Sequence, residues 1–359
     1  MAYVPREVLE APLQPLADSP TEKYYTEWRV FTSRLGLPDS EKLDNVGLER
    51  LEGYCLLDAR ALPGEAGCDS VIASEYEQEK PAIRERLALY HYYRARRGAL
   101  LRLGDGARIA LAMRGGDAYT GYTLRVETEP GSRAELLLVD TQLQEGLKTY
   151  RITIRVSEGS MLELSHLVAH QTGAAVYGLL EAQLDGGSRL VYRAGGRPGE
   201  MTRTRLEATL GGEHARIDAV LGYAADKSRR GDIITNVTHL APRTVSYVSG
   251  KGLARDEAKL VLRGISRVTR SAPWSTAKTE MHVLVAGEKA KGRSVPMLEI
   301  YTGDVEEAGH SASATMILED VLFYAATRGL SRDELLGLME RGMIERTGLL
   351  EVAEILGLF

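Results

Sequence analysis

The sequence predicts a mainly β protein, with a helical N-terminal cap over residues 1–100, a β body over 101–310 and a helical tail over 311–359. Three observations carry this. Short runs that alternate apolar and polar residues recur through the middle of the chain. Glycine pairs such as Gly115-Gly116, Gly186-Gly187, Gly195-Gly196 and Gly211-Gly212 punctuate them. No convincing helical pattern interrupts residues 101–300. Many short strands with turn signals every ~10–15 residues mean a sandwich, barrel, propeller or β-solenoid. The same pattern excludes a doubly wound α/β fold.

Taken in order, the cap opens with Ser19-Pro20-Thr21-Glu22, a capping residue followed by proline and an acid in the first turn. Tyr25, Trp28, Phe31 and Leu35 then form one apolar face, closed by Gly36 and Pro38. A second helix is expected over 81–97, with Ile83, Leu87 and Tyr90 on one side and Arg94, Arg96 and Arg97 at its end, where cations suit the dipole. Leu62-Pro63-Gly64 and Ala66-Gly67 mark loops. Strands are expected at 107–113, 123–127, 135–140, 150–156, 162–169, 176–184 and 190–193, then at 204–210, 215–220, 233–239, 244–249, 259–263 and 280–285. The run 150–156 alternates, whereas 135–140 is continuously apolar between its end residues. No strict period is visible, so repeats alone do not establish a solenoid. In the tail, 317–327 is apolar on more than one side and ends at Arg328-Gly329. Ser331 and Glu334 have capping-box spacing, and a last helix is expected over 346–356.

Composition bounds the function. The chain has 359 residues, 44% hydrophobic and 26% charged, with a net charge of −5. It is long enough for an ordinary core, and an acidic balance argues against a general nucleic-acid binder. The opening MAYVPREVLEAPLQPL lacks the apolar run of a signal peptide, and no stretch approaches a membrane span, so the cytoplasm is the expected compartment. Cys55 and Cys68 have neither CxxC spacing nor the number for an iron–sulfur cluster, and are expected as buried structural thiols. GxxxxGK[ST], GxGxxG after a strand, HExxH and GxSxG are all missing. The chain is therefore not expected to hydrolyse ATP by a P-loop mechanism. His166 and His170 sit four apart, which on a strand shares a face at about 13 Å and makes a poor metal pair. His239 and His282 read as ordinary strand histidines.

The informative segment is PMLEIYTGDVEEAGHSASATMILEDVLFYAATRGL, residues 296–330. A strand at 298–301 leads into a loop with Asp304, Glu306 and Glu307. His310 follows among small residues, and a helix begins soon after. Imidazole beside carboxylates can ligate iron and similar metals; a turn with solvated acids and a helix-capping histidine is the plainer reading of the same residues.

The segment resembles the C-terminal signature of the SufB/SufD family, paired scaffold subunits of the Suf iron–sulfur cluster assembly machine. Pro296, Leu298, Glu299, Ile300, Asp304, Val305, His310, Phe323, Tyr324, Arg328 and Gly329 match in order and spacing. His239–Ser246 and Gly264–Val268 also resemble the family's strands. The match is good over 230–345, looser over 100–230 and absent from the cap. Two departures favour SufD: Met281 stands where SufB carries a cysteine, and Ser311 where SufB carries a glutamate after the histidine.

The resemblance implies a right-handed parallel β-helix and a non-catalytic scaffold. It implies pairing with a SufB-type subunit, or with itself as a homodimer, and with a SufC-type ABC ATPase. A cysteine desulfurase would be the indirect source of sulfur. A transient iron–sulfur cluster is expected at a shared inter-subunit site, with none held stably by this chain alone. His310 is the expected ligand, with Glu307 and Asp304 as assisting carboxylates. The apolar run 321–326 gives Leu322, Phe323, Tyr324 and Arg328 as the expected ATPase contact. A self-pairing SufB-like scaffold of a reduced system, a β-helix carbohydrate-active enzyme and a plain interaction protein are the alternatives.

Overall fold

A computed structural model describes residues 3–14, 24–62, 68–83 and 85–358. The expected helix start at 19–22 and the loop at 63–67 lie outside the described residues. Two nine-stranded sheets form the body. The first holds β1 (Cys55–Asp58), β4 (Arg108–Arg114), β6 (Arg133–Gln142), β8 (Met161–His170), β10 (Arg189–Arg197), β12 (Arg216–Ala225), β14 (Val245–Arg255), β16 (Thr276–Ala286) and β18 (Glu307–Met316). The second holds β2 (Val71–Glu77), β3 (Arg97–Leu103), β5 (Tyr119–Thr128), β7 (Gly146–Val156), β9 (Ala174–Leu184), β11 (Met201–Leu210), β13 (Arg230–His239), β15 (Lys259–Val268) and β17 (Lys291–Ile300).

From β4 onward successive strands alternate between the sheets, and every neighbour within a sheet runs parallel. That is a parallel β-solenoid of about eight turns, stacked so that each coil buries its inner face on the next. The register offset between coils varies from 25 residues, Ala99 with Leu124, to 32, Lys259 with Lys291. This variation hides the repeat from a search for a fixed period. Inward rows such as Ile152, Ile154 and Val156, or Leu162 and Leu164, join one core that continues from Leu57 to Ala290.

Helices explain why some strands are apolar on both faces. In β6, Leu136 and Leu138 face the interior, whereas Leu137 and Val139 join a second cluster with Ile344, Leu349 and Leu350. Those partners belong to the tail, α5 (Arg332–Glu345) and α6 (Leu350–Ile355), which lies across the outside of the first sheet. The approach is close: a Cβ on Gly222 would stand 2.0 Å from the Met343 carbonyl oxygen. The capping box of α5 forms as expected, with Ser331 N–H donating to Glu334 Oε2 at 2.8 Å and Glu334 N–H to Ser331 Oγ at 3.3 Å.

On the other side α1 (Arg6–Glu10), α2 (Trp28–Thr32) and α3 (Arg86–Arg94) set Val8, Trp28, Phe31, Leu87 and Tyr90 against Leu147, Tyr177 and Met201 of the second sheet. A buried network reinforces this: Arg203 bonds Glu85 at 2.9 Å and Asp232, which also accepts from the Thr26 hydroxyl at 2.6 Å.

Three sequence expectations change. The first 100 residues are not mostly helical: β1, β2 and β3 lie within or begin in them. Strand β2, antiparallel to β3, ends the second sheet, and Cys55, Leu62, Cys68, Val71 and Ala73 pack against that mouth of the core. Cys55 and Cys68 are joined as a disulfide rather than standing as separate thiols, because β1 and the approach to β2 bring their Cα atoms within 5.9 Å. The β body also runs past residue 310, since β18 extends to Met316 and α4 (Glu319–Thr327) follows.

Candidate functional site

Strands β17 and β18 form the last coil, and no further strand lies on their outer edges among the described residues. In β16 the odd-numbered residues Ala277, Thr279, Met281, Val283 and Val285 are buried and face the interior. Pairing places Ala308, His310, Ala312, Ala314 and Met316 directly above them. The same column that buries Thr279 thus leaves His310 open, because no coil covers it. His310 is a strand residue on the inward face, not the loop residue expected. Met281 is fully buried beneath Ala312, one inward position along from Thr279. Thr279 and Ser266 share a hydroxyl bond at 2.8 Å across the interior below His310.

The expected carboxylates do not gather around this imidazole. Glu307 falls on the outward face, three residues away, and is bonded by Lys278 at 2.6 Å. Asp304 lies in the preceding turn, exposed, with its amide donating to Thr302 Oγ1 at 3.3 Å. Among the described residues no three His, Cys, Asp or Glu side chains are grouped to hold a metal ion. Ser311 and His282 are outward, and His282 Nδ1 bonds the Ser313 hydroxyl at 2.7 Å.

The expected ATPase contact sits on α4, beside this end of the solenoid. Phe323 is 72% and Tyr324 61% exposed; Arg328 is exposed and Leu322 half-buried. Arg328 Nη2 donates to Tyr324 Oη at 3.1 Å and the guanidinium lies over that ring. Met316, Leu318 and Val321, close by in sequence, are also exposed. Only Ala325 of this helix is buried.

Sequence reasoning missed a polar cluster inside the solenoid. Asp140 is fully buried; it bonds His166 Nε2 through Oδ2 at 3.3 Å and pairs through Oδ1 with Lys148 Nζ and, at 3.2 Å, with His170 Nε2. Lys148 also donates to the carbonyls of Met113 and Thr141. Burial pushes the Asp140 carboxyl up, but Lys148 and the two imidazoles outweigh it and hold it well below the carboxylate range. Burial pushes His170 down. The two histidines read as a poor metal pair converge on one carboxylate instead, which strand spacing alone does not reveal. His239 is likewise buried, bonded to Thr244 and Ser246 hydroxyls at 2.8 Å each, and burial lowers it to about 4.

The sequence matches a family profile, SUF system FeS cluster assembly, SufBD core domain, over residues 113–343. It is 27% identical over 172 residues to an iron–sulfur cluster assembly SufBD family protein of Mycobacterium tuberculosis, covering 47% of this chain and 20% of that one. It is 29% identical over 136 residues to SufB of Bacillus subtilis, covering 38% and 29%. With SufD of the same organism identity is 23% over 204 residues, covering 52% and 46%. The matched region is less than half the length of each of these relatives. No helix among the described residues is long and apolar enough to cross a membrane.

Proposed function

Because the chain belongs to the SufBD family of iron–sulfur cluster assembly proteins, we propose that it is a scaffold subunit whose uncovered last coil joins a SufB-type subunit or a second copy of itself. The observation that carries this is the open inward face of β18. Ala312, Ala314 and Met316 occupy positions that are buried in every earlier coil, and the strand edges offer unpaired backbone groups. A partner end would cover both.

His310 on that face supplies an imidazole at the join, where the nascent cluster is cargo rather than a resident group. Its other ligands would come from the partner, with Asp304 near enough in sequence to be recruited and Glu307 available only by leaving Lys278. Met281 in place of a thiol makes the chain SufD-like, the half that lends an imidazole rather than sulfur. The exposed α4 surface, rich in the aromatic and arginine side chains that anchor interfaces, is the proposed seat of a SufC-type ATPase. A cysteine desulfurase would feed the complex indirectly, and the expected compartment is the cytoplasm.

The test is anaerobic co-expression with a SufB-type subunit and a SufC-type ATPase. A stable complex that accumulates iron and sulfide supports the reading. Failure to associate with either protein, with this chain folded, overturns it.

A further inference from the structure

A second site lies at the opposite end of the molecule, where the cap meets the first coils. A cavity of about 270 Å³ opens there between Asp39, Arg60, Arg94, Arg97 and the start of β5. Three guanidinium groups line it against one carboxylate. Arg94 is nine-tenths buried, stacked over Tyr119 at 4.2 Å, and held by the Leu37 carbonyl at 2.9 Å and Tyr90 Oη at 2.8 Å. Its one anionic partner is Asp39 at 2.7 Å, itself 75% exposed. Among the described residues the Arg60 side chain reaches only the Ser40 carbonyl, at 3.4 Å through both terminal nitrogens. Arg97 has no side-chain bond or ion pair among the described residues.

The contrast with the rest of the surface is what gives this meaning. The larger groove on the second sheet also shows three arginines, but each has its own carboxylate: Arg125 with Glu127, Arg151 with Glu181 and Arg155 with Asp185. There the charges close among themselves. In the cap cavity two cations are left over, held in place by neutral or weak contacts. Converging guanidinium groups with spare donors match the oxygens of a phosphate. The cavity is below the size range of drug-like sites, about 300–1,000 Å³, so the ligand is small.

We propose that this cavity binds a small phosphate dianion, free or as a phosphomonoester, between Arg60, Arg94 and Arg97. The floor of β5 backbone and buried tyrosines gives shape, and the arginines give charge. Nothing about the site requires the solenoid's far end, so it can be tested on the chain alone.

The experiment titrates the full chain with inorganic phosphate, and separately with glycerol phosphate, against chloride at matched ionic strength, followed by calorimetry. Saturable binding with Kd below about 1 mM is expected. Arg60→Gln with Arg97→Gln should weaken it at least about tenfold, since each removes a charge-assisted contact. Arg102→Gln with Arg108→Gln removes the same charge elsewhere and should change Kd less than about twofold, as screened distant charges do. Tighter binding of glycerol phosphate assigns an organic phosphate; equal or weaker binding assigns the free ion. Absence of saturable binding, or equal loss in both double variants, overturns the proposal.

Discussion

His310 stands in register with Thr279, one coil further along the same inward-facing column, yet Thr279 is 2% exposed and His310 lies open. A side chain at that position on any earlier coil would be core. Here it is presented to whatever closes the column.

His310→Ala should therefore leave stability within about 0.5 kcal/mol, as surface substitutions do, and should leave ATPase association intact. Cluster formation in an anaerobic reconstitution of the complex should fall sharply. His282→Ala, which loses one bond to Ser313 on the outward face, is the matched control and should cost less assembly. Equal assembly rates for both variants and the parent would remove His310 from the mechanism.

Phe323→Ala with Tyr324→Ala should weaken ATPase binding while the melting temperature stays put, because both rings are exposed. Truncation at residue 331 is a poorer test. It would also strip Ile344, Leu349 and Leu350 from the outer face of the first sheet and destabilise the body. Pull-down of the ATPase by the double variant at parental strength would locate the contact elsewhere.

Asp140→Asn should cost about 3–5 kcal/mol in denaturant unfolding, because it leaves the buried Lys148 ammonium without its counter-charge. Replacing both partners, Asp140→Leu with Lys148→Met, should cost less than the single change. The reverse order would show that the pair contributes by packing and not by charge.

Stability should fall as pH drops from about 6.5 towards 4, since burial holds His239 at about 4 while its unfolded counterpart titrates near 6.5. In that window the unfolded chain binds the extra proton, so stability rises with pH and the contribution is complete above it. His239→Gln should flatten this part of the pH–stability curve. An unchanged slope would assign the loss to other groups, such as His91, which burial lowers to about 3.

Gly222→Ala should loosen the tail, since the added methyl meets the Met343 carbonyl. A cost of about 1–3 kcal/mol and faster proteolysis within α5 are expected from such overpacking.

The strands of the body were legible because turn glycines and alternation are local signals. The coil repeat was not, because offsets drift between 25 and 32 residues. The continuous run in β6 was visible, but its cause, a helix more than 190 residues away, is a tertiary fact. His310 was legible only through family resemblance; its strand placement was masked by the small residues around it, which read as a loop. The Asp140 cluster was out of reach, since His166 and His170 meet that carboxylate only after β6 and β8 stack. The disulfide depended likewise on β1 and β2 being brought together.

The two ends of the solenoid are unlike. One is closed by the antiparallel β2 and the plug around Cys55 and Cys68; the other exposes two strand edges and an uncovered interior. Stacking without limit needs a molecule with both a top and a bottom that can receive another. On the proposed reading, the β17–β18 end is the receptive one among the described residues. If two such faces meet as proposed, none is left, so growth along the solenoid axis would stop at a pair.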